Sequence, residues 1–241
     1  GGGPHGEGSM DFAAGGKYEG AWHRGLPHGM GAYAFRLGDR YLGAWDHGAP
    51  HGSGRLEYAD GGVYDGFWEA PGSVDAADGG VGDGATDGGA KERPPTRSLP
   101  HHNIEPLARR AKFHGEGRFK SAGGETYEGQ WRHGARHGAG RSSHPAGEWY
   151  DGEWSDGQRS GRGRALLASG DEWDGGWIAD LPHGDGTMRT HTGDVYVGHV
   201  EEGLKHGEGV FTYANSHVYT GHFQRDERHG AGTLTPADGS V

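Results

Sequence analysis

Eighteen histidines are the residues of this chain best equipped for chemistry, and eight stand in one setting, His-Gly-x-Gly, at His5, His28, His51, His114, His137, His183, His206 and His229. Three continue as His-Gly-Glu, at His5–Glu7, His114–Glu116 and His206–Glu208. That H-x-E arrangement would set a proton-transferring carboxylate beside a zinc ligand, as zinc-dependent deamination requires, but the chemistry also needs cysteine ligands. The chain has no cysteine, which excludes thiol nucleophiles, disulfides and cysteine-zinc sites. Gly16-Lys17 is followed by Tyr18, so there is no phosphate-binding Walker loop. The glycine run from Gly79 to Gly84 has one aspartate, out of place for a calcium loop. His101-His102 could hold a metal adventitiously. The sequence therefore predicts no catalytic residue, no cofactor and no built metal site.

The setting of the histidines comes from a period. Tyr18-Glu19-Gly20-Ala21-Trp22 recurs as Tyr41-Leu42-Gly43-Ala44-Trp45 and Tyr64-Asp65-Gly66-Phe67-Trp68, then from Tyr127, Tyr150, Trp173, Tyr196 and Tyr219. The step is 23 residues, except for one of 63 between Tyr64 and Tyr127, so one repeat carries an insertion of 40. Counting the first aromatic as offset 0, glycine holds offset 2 in all eight repeats, and Trp holds offset 4 in six. Val200 and Phe223 take that place in the last two. His-Gly-x-Gly follows at offsets 10 to 13, with Ser160-Gly161 as the exception.

Offsets 0, 2 and 4 fall on one face of a strand. A ladder of structural aromatics is expected there: Tyr18, Trp22, Tyr41, Trp45, Tyr64, Trp68, Tyr127, Trp131, Tyr150, Trp154, Trp173, Trp177, Tyr196, Tyr219 and Phe223. The offset-2 glycine leaves a gap that a neighbour's ring can fill. A second strand follows each His-Gly-x-Gly, and Asp60-Gly61-Gly62, Ser169-Gly170 and Thr192-Gly193 read as hairpin loops. Each repeat is thus one β-hairpin, with its histidine read as a turn residue bonded to backbone. Strands about 4.8 Å apart put equivalent histidines roughly 10 Å from one another, too far to share one ion. The expected fold is all-β, an elongated single-layer twisted antiparallel ribbon of stacked hairpins.

The pattern Y-x-G-x-W-x-x-G-x-x-H-G-x-G resembles the MORN repeat family, over nearly all the chain outside residues 73–112. The expected organisation is repeats over 1–72, a flexible insertion over 73–112 and repeats over 113–241. Ser73 to Ala90 is rich in Gly, Ala and Asp, while Lys91 to Lys112 carries six basic residues and reads as a solvated loop or a docking arm for an acidic partner. The chain opens on Gly-Gly-Gly rather than Met, as a segment of a longer protein would.

Odd offsets should face water. Glu128, Asp151, Glu153, Glu172 and Asp174 read as an acidic stripe there, giving way to Val195, Val197 and Val218, with Trp149 at its margin. Trp149, Asp151, Glu153, Asp174, Val195, Val197 and Val218 are therefore the candidate partner-binding residues, suited to a basic amphipathic helix. The net charge of −11 argues against nucleic acid and disfavours an anionic bilayer. The resemblance implies a non-catalytic scaffold that binds other proteins of an assembly, through sheet edges or by self-association. It also implies a cytoplasmic, cytoskeletal setting, such as a ciliary or flagellar axoneme and its radial-spoke heads. The alternatives it carries are a membrane tether binding phospholipid and the regulatory repeats of a larger lipid kinase or methyltransferase.

Overall fold

The computed structural model describes residues 3–71 and 108–238. They carry seventeen strands: β1 (Gly6–Asp11), β2 (Lys17–His23), β3 (Leu26–Ala34), β4 (Arg40–Asp46), β5 (Ala49–Glu57), β6 (Val63–Glu69), β7 (Lys112–Lys120), β8 (Thr126–Arg132), β9 (Ala135–Ser143), β10 (Trp149–Ser155), β11 (Gln158–Leu166), β12 (Glu172–Ile178), β13 (Leu181–Arg189), β14 (Val195–Glu201), β15 (Leu204–Thr212), β16 (Val218–Gln224) and β17 (Glu227–Thr235). The chain forms two compact units, Gly1–Gly54 with Trp68–Lys112 and Arg55–Phe67 with Phe113–Val241. In the first unit β1 to β4 pair antiparallel in chain order. In the second, β7 to β17 do the same. The all-β antiparallel hairpin sheet expected from the period is what each unit contains.

Every hairpin but the interrupted one from Tyr64 is closed by a two-residue turn at offsets 6 and 7. Both residues have positive φ, as at Arg24-Gly25 (50° and 82°), His133-Gly134 (50° and 88°) and Asp156-Gly157 (49° and 87°). Such a turn matches the right-handed twist of the strands it joins, which is why glycine is usual at its second place. Ala179-Asp180 and Arg225-Asp226 have aspartate there, at φ 69° and 71°. The Asp180 carboxylate repays that conformation by accepting the backbone N–H of Arg159 at 2.9 Å and its Nε at 3.1 Å. Asp226 accepts from the backbone N–H of Lys205 at 2.9 Å and lies 2.8 Å from its Nζ.

The histidine of His-Gly-x-Gly sits in a strand and not, as expected, in the turn. Gly20 pairs with Gly31 and Trp22 with Pro27, so β3 advances four residues while β2 advances two. The extra length is taken up as a bulge at His28-Gly29, where Gly29 has φ 76°. The other His-Gly pairs repeat this, down to Gly207 at 60° and Gly230 at 61°. The motif therefore divides its labour. The first glycine makes the bulge, and the second faces the aromatic of its own repeat.

The expected insertion over 73–112 lies outside the described residues up to position 107. Its end packs on the first unit: Ala108 and Ala111 are buried, and the Arg109 guanidinium stands 4.9 Å over the Phe35 ring and 3.5 Å from Asp39.

Candidate interaction surfaces

Every residue of the aromatic ladder is buried, from Tyr18, Tyr64 and Trp173 at 0 % exposure to Trp131 at 8 %. The glycine gap is filled by the repeat's own tyrosine rather than by a neighbour's ring. A Cβ on Gly31 would collide with the Tyr18 ring, and one on Gly152 would meet the Gly163 Cα at 2.5 Å. With that gap closed, the tyrosine hydroxyl reaches the carbonyl of offset 3. Tyr18 donates to Ala21 at 2.9 Å, Tyr127 to Gln130 at 2.8 Å and Tyr196 to His199 at 2.7 Å. Trp173, the one departure at offset 0, makes the same bond through its indole N–H to Gly176 at 3.0 Å. Burial pushes the phenol pKa of Tyr127, Tyr150 and Tyr196 up to about 12.

The offset-4 indoles link successive hairpins. Trp45 donates to the Gly31 carbonyl at 3.0 Å, Trp154 to Gly140 at 2.9 Å and Trp177 to Gly163 at 2.9 Å. Trp45, Trp131 and Trp154 each also stand edge-on to two tyrosines. Trp154 lies 5.3 Å from Tyr127 and 5.1 Å from Tyr150, at 90° and 89°. Edge-to-face pairs of this kind add to what burial alone provides. In the second unit a cation lies over the ladder: Arg136 is 4.1 Å from the Trp154 ring, and Arg159 is 4.4 Å from Trp177. Beside Arg136 and Arg159 an open groove of about 480 Å³ runs past Trp149, Leu166 and Glu148.

The opposite face differs from the acidic stripe read in the sequence. Asp151 stands between Arg141 and Arg164, its register partners on either side, and Asp174 stands between Arg164 and Thr187. Arg118 pairs with Glu128 at 2.7 Å and Arg164 with Glu172 at 2.7 Å. The row thus alternates in sign. The arginines come from the second strand of each hairpin, whose register follows only once the bulge is known. Trp149 is half-buried, with Arg141 and Arg164 at 5.7 and 5.8 Å from its ring. Glu153 leaves the row to accept the N–H of Arg162 at 3.0 Å, beside the bulge at Gly161.

Beyond Asp174 that row carries no further charge, while in the neighbouring row Arg189 faces Glu172 on one side and Val195 on the other. Val197 faces Thr187 on one side and Val210 on the other, and Val210 faces Thr220. Val195 and Val218 both face Thr212. Val195 and Val218 are half-buried, while Val197 is 51 % exposed and Val210 36 %. The structure brings the three valines together and adds Val210, which strand alternation on β15 marks but offset counting on the first strand does not reach.

With this geometry in place, comparison with known proteins assigns the family. The MORN repeat model matches residues 18–40, 41–63, 127–149, 150–172, 173–195, 196–218 and 219–241, two thirds of the chain. The chain belongs to the MORN repeat family, whose repeats build protein-interaction scaffolds. The interrupted repeat from Tyr64 falls outside those stretches. No curated protein matches the chain. Among solved structures, it is similar to the TCP domain of Drosophila melanogaster SAS-4, in complex with a proline-rich motif of Ana2, at 10 % identity and TM-score 0.38, covering 90 % of each chain. The TCP10 domain of Danio rerio CPAP follows at 11 % identity and TM-score 0.25, covering 97 % of this chain and 96 % of that one.

Proposed function

We propose that the protein is a non-catalytic scaffold of a cytoskeletal assembly, a ciliary axoneme and its radial-spoke heads foremost, which it joins through the outer sheet face of β13 to β17. The observation that carries this reading is the change along that face from alternating charges to a β-branched surface of Val195, Val197, Val210 and Val218, bordered by Thr187, Thr212 and Thr220 and, beside Val195, by Arg189. Apolar residues grouped where water is expected mark protein contacts. The ladder residues serve the fold, since all are buried. Asp151 and Asp174 form the charged flank of the contact, with the Trp149 ring beside them. Strand β17, which has β16 as its one partner among the described residues, offers an edge for a further repeat or a second copy.

The test is Val197→Asp with Val218→Asp, expressed in ciliated cells that are then extracted with detergent. The native chain is expected to remain with the axoneme and the variant to be released, with an unchanged melting temperature. A native chain that is wholly released, or a variant that is retained, would overturn the reading.

A further inference from the structure

The first unit gathers imidazoles that the repeat does not require. His5 and His23 have ring centroids 5.0 Å apart, His23 and His28 5.5 Å, and His28 and His47 6.1 Å. Asp46 stands among them, its Oδ1 lying 3.2 Å from His28 Nδ1 and 2.7 Å from His47 Nδ1. His28 belongs to the bulge, but His23, Asp46 and His47 occupy offsets 5 and 6. In the eight repeats those offsets read His-Arg, Asp-His, Glu-Ala, Arg-His, Ser-Asp, Ile-Ala, Glu-Glu and Gln-Arg. The fold therefore asks for no residue type there, and packing does not explain two imidazoles on one carboxylate with a third beside them.

We propose that the tips of the first two hairpins form a binding site for a zinc-class divalent transition metal, with His28, Asp46 and His47 as ligands and His23 as the fourth. Imidazole nitrogen and carboxylate oxygen are the donor set such ions take, in tetrahedral geometry at about 2.0–2.2 Å. Two imidazoles on one tetrahedral ion have ring centroids roughly 5–6 Å apart, near the 5.5 Å of His23 and His28 and slightly under the 6.1 Å of His28 and His47, so the donor atoms must still move inward to meet an ion. The backbone under the donors is fixed: His28 is on a paired strand and His47 holds φ 47° in a two-residue turn. The side chains themselves are 49 %, 40 % and 80 % exposed for His28, Asp46 and His47, so rotation can close them on an ion. Equivalent histidines of successive repeats stay too far apart to share a metal. This site escapes that limit because its donors come from different offsets. A bound ion would tie the hairpin of β2 and β3 to the end of β4.

The test is calorimetric titration of the tag-free full chain with Zn2+ near neutral pH, with Co2+ absorption to report geometry. One equivalent is expected to bind at micromolar concentration or below, to give a tetrahedral Co2+ spectrum and to raise the melting temperature. Asp46→Asn with His47→Gln should weaken binding at least tenfold and abolish the thermal shift, and His28→Gln alone should weaken it too. Both variants should melt as the native chain does in chelator. His101→Gln with His102→Gln should leave binding intact. Native-like affinity in the first two variants, loss of binding in the last, or an octahedral Co2+ spectrum would each overturn the proposal.

Discussion

A single indole shows how much each residue of the ladder does. Trp154 is 4 % exposed, touches the rings of two tyrosines and donates to Gly140. Trp154→Ala should destabilise the protein by about 3–5 kcal/mol, measured by denaturant unfolding. Trp154→Phe keeps a ring and loses the donor, as Phe223 does naturally, and should cost only about 1 kcal/mol. The tyrosines give a pH signature. An exposed phenol ionises near pH 10, while burial holds Tyr127, Tyr150 and Tyr196 near 12. A pKa raised on folding contributes stability that is complete below pH 10 and lost as pH rises through 12. Denaturation midpoints should therefore fall across that interval, alongside tyrosinate absorption. Which aromatics are buried was legible in the sequence, because alternation at offsets 0, 2 and 4 sorts them onto one face. The direction in which each tyrosine folds was not. It depends on the glycine pair, such as Gly20 with Gly31, meeting across two strands.

At the scale of the hairpin, the turn and the strand end before it form a matched pair. The second turn residue sends its N–H to the carbonyl at offset 9 of the preceding hairpin: Gly48 to Pro27 at 3.0 Å, Gly157 to Arg136 at 2.9 Å, Gly203 to Pro182 at 2.8 Å. Aspartate takes that turn position only after Arg159 and Lys205, which have an N–H to return. Proline has none. Gly157→Asp, opposite Arg136, should thus be tolerated within about 0.5 kcal/mol, whereas Gly203→Asp, opposite Pro182, should cost about 1–2 kcal/mol, because it takes on positive φ without a partner. Parallel thermal melts of the two variants check the difference. Strands and hairpins were readable from the period, but the bulge at His-Gly was not. A repeat of 23 residues is the same length whether the additional residues lie in a turn or in a strand. That one ambiguity also hid the arginines that face Asp151, and so made an alternating row look acidic.

At the scale of the molecule, stability is a chain of neighbour contacts. Disturbing one link should loosen its own and the adjoining hairpins and leave distant ones intact. In Trp154→Ala, amide exchange should quicken in β8 to β11 while β14 to β17 keep their protection, as mass spectrometry of exchanged peptides would show. Uniform quickening throughout the second unit would mean instead that the unit opens as one body. The candidate surface was partly legible at this scale: three valines were visible at odd offsets, whereas Val210 and the end of the charged row needed the pairing of β13 to β16. The indole bond that six of the hairpins make to the one before also gives the array a direction. A repeat reads its predecessor through the donor at offset 4 and is read by its successor through the second glycine of His-Gly-x-Gly. Head and tail are thus different chemical instructions, and a reversed repeat has no grammar by which to join. Duplication of a 23-residue unit preserves both instructions, so such a chain can lengthen by copying itself in frame. New sequence of any other length is admitted where no instruction is written, at a hairpin tip, and the 40-residue insertion between β6 and β7 stands at such a tip.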